Sequence, residues 1–287
     1  MVVRGKDAAT QAMLAESNRY GFDLRTVAVS VPGVVSALNA GLAAAQGDIM
    51  AITDDDTVPR PDWIQRIELH FRGNDELGGV GGRDWVHHDD KIEDGRAVMV
   101  GRVRWYGRVI GNHHLGVGGP REVDVLKGAN MSYRRPAVHE IGFDDRVRGS
   151  GAQVHFELAL GLAVKRAGWK LIYDPAVAVD HYPAQRFDDY QRDKPSLQGL
   201  QNAVHNETYA LLRWLPWWRK PLAFVYGLLV GTRLAPGLMV AGERWVRQSD
   251  REAVGRRFRA SMRGRLDGFR TFCLSGRRAR PRGMERA

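Results

Sequence analysis

The apolar run Ile49-Met50-Ala51-Ile52-Thr53 ends in three consecutive carboxylates, Asp54, Asp55 and Asp56. Side by side they repel one another and resist burial, so a positive partner is expected among them. A strand ending in such a cluster delivers it to the carboxyl edge of a sheet, where open α/β proteins bind ligands. Two carboxylates flanking one residue can clamp a hard divalent cation, which in turn neutralises a phosphate. Pro59 and Pro61 just downstream suit a solvated acidic turn equally well, so the motif alone leaves both readings open.

The flanking sequence supplies the frame. Residues 27 to 31 and 49 to 53 read as short buried strands, and between them Val35, Leu38 and Leu42 share one helical face that Gly47 terminates. Strand, helix, strand predicts a parallel α/β layer. Trp63, Ile64, Ile67 and Phe71 predict a helix after the acidic motif. The stretch from Gly78 to Gly82 lacks the spacing and the following helix of a phosphate loop, and reads as a glycine-rich entry to a strand. A helix is predicted from Leu158 to a stop at Gly168, with another strand from Lys170.

At 287 residues, 44% hydrophobic and 26% charged, the chain has the composition of a folded protein with one large core or two modest ones. A lone Cys273 excludes an intramolecular disulfide and suits a reducing compartment. The apolar part of Met1 to Asp7 is too short for a signal peptide. The net charge of +10 is concentrated beyond Glu243, in an arginine-dense tail that suits a polyanion. Ahead of that tail Trp214, Trp217 and Trp218, with Arg213, Arg219 and Lys220, border the apolar run Pro221 to Thr232, which resumes at Leu238 to Ala241. Tryptophan and basic residues beside an apolar segment point to a membrane interface. The run is shorter than the roughly 20 residues of a spanning helix. An in-plane, re-entrant or buried helix therefore stands beside a full span. Without interleaved stacking aromatics or a recognisable module, nucleic acid is not the expected partner. The anionic surface of a membrane is.

Three separated stretches carry a resemblance. The first runs from Leu38 to Asp56 and on through Val58-Pro-Arg-Pro-Asp-Trp63. The second is Leu126-Lys-Gly-Ala-Asn-Met-Ser-Tyr-Arg-Arg135. The third runs from Glu157 through Arg166-Ala-Gly-Trp169 and Tyr173-Asp-Pro175 to Val179-Asp-His181. In this order they resemble glycosyltransferase family 2, the inverting enzymes with a Rossmann-like, nucleotide-sugar-binding GT-A fold.

The resemblance implies an α/β catalytic domain over 1–205, and the composition beyond it divides into an aromatic and apolar, membrane-associated helical segment over 206–242 and a partly disordered basic tail over 243–287. It implies transfer of a sugar from a nucleoside-diphosphate sugar to a hydroxyl of a glycan, lipid-linked or other acceptor, at the cytoplasmic face of a membrane. By the same resemblance Asp54, Asp56 and His181 hold a divalent metal, Mn or Mg, and Asp55 turns towards donor ribose or sugar. Lys127, Gly128, Asn130 and Arg134 line the donor and acceptor sites, and Asp7 lies near the base. Glu157 falls where the family has the second acid of a Glu-Asp pair and is the general base; Phe156 stands in place of the first acid. Met1 to Asp7 looks like the family's second strand, so the first is expected to be missing. Ala210-Leu-Leu-Arg-Trp214 lacks the glutamine of the processive QxxRW sequence, which favours a single transfer.

Other readings remain. Asp54-Asp-Asp-Thr-Val58 also fits the nucleophile motif of haloacid dehalogenase phosphatases, with Asp54 as nucleophile, Asp56 as acid and Lys127 and Asp144-Asp145 in later motifs. A catalytically degenerate membrane scaffold is the non-enzymatic alternative. Trp85 and Trp105 are expected in the core, and His87-His88-Asp89-Asp90 and His113-His114 in loops without zinc-ligand spacing.

Overall fold

A computed structural model describes residues 1–5, 7–17, 24–88, 91–184 and 196–276. The chain opens with β1 (Val2–Arg4), α1 (Ala8–Ser17) and β2 (Val27–Val29), and β1 pairs with β2 in parallel, Val3 beside Ala28. Then come α2 (Val34–Ala44), β3 (Ile49–Thr53), β4 (Thr57–Pro59), α3 (Trp63–Phe71) and β5 (Leu77–His88). Short strands β6 (Lys91–Ile92), β7 (Arg102–Val103), β8 (Val109–Ile110) and β9 (Arg121–Glu122) lead to β10 (Asn130–Arg134). The remainder is α4 (Arg135–Val138), α5 (Phe156–Arg166), β11 (Lys170–His181), α6 (Leu197–Trp214), α7 (Arg219–Leu229), α8 (Leu238–Arg247) and α9 (Arg251–Gly276).

The main sheet runs β3-β10-β5-β11-β4, with β6 on β5 and β9 on β11. Its pairing is mixed. β10 is antiparallel to both β3 and β5, and β5 and β11 are parallel. The expected parallel layer is thus only partly formed, because β2 pairs with β1 whereas β3 pairs with β10. β2 and β3 are only partly buried, since each has one neighbour among the described residues. Gly78 to Gly82 lies inside β5; a Cβ on Gly82 would sit 1.7 Å from the Val177 carbonyl oxygen, where β11 bulges towards it.

Helices cover both faces. On one side Trp63, Ile67 and Phe71, spaced four apart on α3, pack with Leu77, Val80, Val177 and Val179, while Ile64 is turned out and exposed. Each such buried side chain contributes about 1.5–3 kcal/mol. On the other side α5 is buried along most of its length, with Leu158 and Val164 in the large core that also takes Tyr133, Leu171 and Tyr173. A helix apolar all round needs cover on its outer face too. The later helices help to supply it, through Ala210, Leu211 and Leu215 around the end of α6 and Ala223 of α7.

The C-terminal region departs most from expectation. The boundary at 205/206 falls inside α6, whose second half is part of the main core. The apolar run is split into α7 and α8, and the turn between them is pinned by buried Arg265, which donates to the carbonyls of Ala235 (2.7 Å) and Pro236 (3.2 Å). No helix among the described residues is long and apolar enough to cross a membrane. Much of the basic tail is helix α9. Ala260, Gly264 and Gly268 recur every four residues, and the two glycines meet the backbone of α6 at Gln201 and His205, which leaves Arg263 and Arg270 facing solvent. The end of the tail, 277–287, lies outside the described residues.

Candidate active site

β3 ends at Thr53, and the chain turns at once into β4. The turn is closed by Asp54, whose carbonyl accepts from the Thr57 hydroxyl at 2.7 Å. β4 then pairs antiparallel with β11, Thr57 opposite His181, which sets Asp56 beside the imidazole. As a result Asp54, Asp56 and His181 each offer a ligand atom within 4.8 Å of the others, while Asp55 is exposed at the tip. Two carboxylates and an imidazole form a compact, mostly oxygen donor set that fits Mn2+ or Mg2+. His181 Nε2 lies 3.3 Å from Asp56 Oδ1, and Asp56 Oδ2 accepts from the Ala184 N–H at 3.1 Å. Burial of His181 pushes its pKa down, but hydrogen bonds with Asp56 and Asp84 outweigh this and hold it above the ordinary value.

Behind His181 stands a carboxylate that sequence reasoning missed. Asp84 of β5 is fully buried; its Oδ2 accepts from Lys127 Nζ and lies 3.5 Å from His181 Nδ1. Burial would raise its pKa, yet His181, Lys127 and His113 hold it down to about 2. The available signal was an acid inside a strand of otherwise buried residues, which demands a cationic partner.

Glu157 heads α5, next to the turn at Gly128. A Cβ on Gly128 would sit 2.9 Å from the Phe156 ring and 3.2 Å from Glu157 Oε1, so glycine is what lets this turn approach the carboxylate. Burial, with the charge of Asp54, raises the Glu157 pKa to about 7 against the pull of its own N–H, the Gly128 N–H and Lys127. Phe156, at the position of the missing acid, is packed in the core with its ring 5.9 Å from Phe143.

The other expected residues are used structurally. Asn130 is buried, accepting from Trp63 Nε1 at 2.9 Å and donating to the Val177 carbonyl at 2.8 Å. Arg134 is not brought to the site. It pairs with Ile49 at the far end of β3, four residues or about 13 Å along the strand from Asn130, and there donates to the carbonyls of Leu77, Phe71 and Asn74. Asp7 caps α1, accepting from the Thr10 N–H (3.0 Å) and hydroxyl (2.7 Å); these bonds hold its pKa down. Trp105 is 62% exposed rather than in the core, and Trp85 lies against Arg83, 3.5 Å from ring centre to guanidinium carbon. His87 and His88 end β5 and His113 sits in a short 3-10 turn, rather than in loops; Asp89 and Asp90 lie outside the described residues. Asp144, needed by the phosphatase reading, accepts from the Tyr209 hydroxyl at 2.7 Å and pairs with Arg146.

Residues 1–195 match the sequence pattern of the family described as Glycosyltransferase like family 2. The chain belongs to that family. A curated relative, the glucosyl-dolichyl phosphate glucuronosyltransferase of Haloferax volcanii, is 26% identical over 156 residues, or 52% of this chain and 47% of the relative. The chain thus spans about half the length of the relative it matches. Among solved structures it is similar to S. aureus TarS 1-349 in complex with UDP-GlcNAc, at a TM-score of 0.57 and 11% identity over 96% of this chain and 82% of that one. It is also similar to GalNAc-T7 with UDP, GalNAc and Mn2+, at 0.59 and 11% over 98% and 51%. The fold of this family 2 member is therefore the GT-A fold, and the triad is assembled from the end of its third strand, which delivers Asp54 and Asp56, and the end of β11, which delivers His181.

Proposed function

We propose that this family 2 chain transfers a sugar from a nucleoside-diphosphate sugar to a hydroxyl acceptor, with metal assistance and inversion. The observation that carries the proposal is the pairing of two carboxylate environments coupled by charge: a triad suited to a divalent cation, and Glu157, which feels the charge of Asp54 and has its pKa raised to about 7. Asp54, Asp56 and His181 would hold Mn2+ or Mg2+. Such a cation supplies neutralisation of the negative charge that grows on a departing diphosphate. Glu157 takes the proton from the attacking hydroxyl, and a pKa near neutrality suits a base working near neutral pH. The Gly128 N–H orients the Glu157 carboxylate, and the buried wall of Phe156 excludes water behind it. Asp55, exposed between the two metal-holding carboxylates, is free to meet donor ribose or sugar. Asp56→Asn should abolish Mn2+-dependent binding of a nucleotide sugar by calorimetry without loss of fold. Unchanged affinity would remove the triad from the mechanism.

The name of the Haloferax relative contains a glucosyl-dolichyl phosphate. Together with the exposed apolar residues of the C-terminal helices, this supports a lipid-linked acceptor at an anionic membrane surface. Trp218, Leu222, Val225 and Leu229 recur every three or four residues along α7, and all are exposed. On α8 the adjacent pair Leu238 and Met239 is exposed, and so is the pair Trp245 and Val246 seven residues on, two helical turns away. Such stripes suit a helix lying in the interface plane, and nearby cations add about 1 kcal/mol each towards anionic lipid.

A further inference from the structure

Asp84 is a fixed point between the triad and the Gly128 turn. On one side its Oδ2 reaches His181 Nδ1, whose other nitrogen faces Asp56; on the other it accepts from Lys127, next in sequence to the Gly128 turn beside Glu157. Both Asp84 and His181 are essentially unexposed, and Asp84 Oδ1 has no hydrogen-bond partner among the described residues. A buried carboxylate with that much unused acceptor capacity is costly unless its placement serves something.

A histidine can present only one nitrogen lone pair to a cation, and the hydrogen bond on the other nitrogen decides which. We propose that Asp84 is a positioning residue for cation capture: it accepts the Nδ1 proton of His181, so that Nε2 carries the lone pair presented between Asp54 and Asp56. This deepens the metal-assisted reading of the triad and rests on it. Lys127 follows from the same geometry. Its charge acts on both His181 and Glu157, so it sits within reach of the triad, and Asp84 holds it from competing for the carboxylates there.

The test measures the metal itself. Free Mn2+ would be followed by electron paramagnetic resonance while the full chain is titrated in the presence of UDP or GDP. In a Lys127→Met background, which avoids leaving the ammonium without its carboxylate, Asp84→Leu should weaken Mn2+ binding about 10–100-fold. Asp84→Asn, whose carbonyl can still accept the Nδ1 proton, should restore affinity to within a few-fold. Equal affinity in the leucine and asparagine variants overturns the proposal, because simple packing would then account for Asp84. Should the leucine variant fail to fold, 15N-histidine spectra of the wild-type chain titrated with Cd2+ decide. Coordination at Nε2 of His181 with Nδ1 protonated supports the assignment, and coordination at Nδ1 sinks it. If the wild-type chain binds neither Mn2+ nor Cd2+, the triad reading itself has failed, a result distinct from either outcome for Asp84.

Discussion

Asp84 on β5 and Glu157 at the head of α5 both feel the charge of Lys127, and burial pushes both carboxyls towards the neutral form. They end at opposite extremes, the first held near 2 and the second raised to about 7. Partners make the difference. Asp84 has an ammonium and an imidazole against it, whereas Glu157 has backbone N–H groups, a lysine already bonded to Asp84 and the repelling charge of Asp54. Burial alone therefore predicts neither role. What a carboxylate can do is set by the sign of the charges it is buried with.

The contrast breaks most visibly if Glu157 is made unable to take a proton. Glu157→Gln should keep Mn2+-dependent donor binding yet lose about 10²–10⁴-fold in transfer, the range of a positioned general base. Initial rates with donor and a hydroxyl acceptor check this. A variant within a few-fold of the wild type would leave Glu157 a helix-start acid favoured by the dipole.

The next effect is the pH profile. If the working form of Glu157 is the carboxylate, log kcat/KM should rise by about one decade per pH unit on the acid side and level off above the apparent pKa. That pKa is about 7 without metal. A divalent cation beside Asp54 reverses the local charge and should move the break lower. Raising Mn2+ across its binding range should therefore shift the acid limb downward. A limb that ignores metal would place Glu157 too far from Asp54 for the two to be coupled.

Much of this was legible in sequence, for reasons that differ by residue. Asp54 and Asp56 could be read because the apolar run and the acidic turn are contiguous, so one local pattern fixes both strand and ligand edge. Glu157 could be placed because α5 is closed locally, at Gly168. Asp84 could not: its partners Lys127 and His181 lie 43 and 97 residues away, and they meet it only because β5 pairs with β11 on one side and with β10, just after Lys127, on the other. Arg134 was misread by register, since a residue four places along the strand from Asn130 must lie at the other end of the sheet. Helix α9 went unread in the tail because arginine density masked the Ala260, Gly264, Gly268 spacing that docks it on α6. Charge is loud in a sequence, and small residues at helical spacing are quiet.

The smallest effect is on stability, and its sign separates the two carboxylates. Glu157 titrates at about 7 in the folded chain and near its ordinary value when unfolded, so between those pH values the folded state binds more protons. Stability attributable to Glu157 is then fully present below its ordinary pKa and is lost as pH rises through about 7. In metal-free protein Glu157→Gln should be nearly neutral at pH 4 and stabilising at pH 8, by at most about 3 kcal/mol and less if water reaches the site. Asp84 runs the other way. Its depressed pKa contributes stability above the ordinary aspartate value that fades as pH falls towards 2. Urea melts of the wild type and Glu157→Gln with chelator, at both pH values, make the check. Adding Mn2+ at pH 8 should shrink the advantage of the glutamine variant, because a cation in the triad favours the charged form of Glu157. An advantage of equal size at pH 4 and pH 8 would mean that packing rather than charge sets it, and the contrast between the two carboxylates would then lose its electrostatic basis.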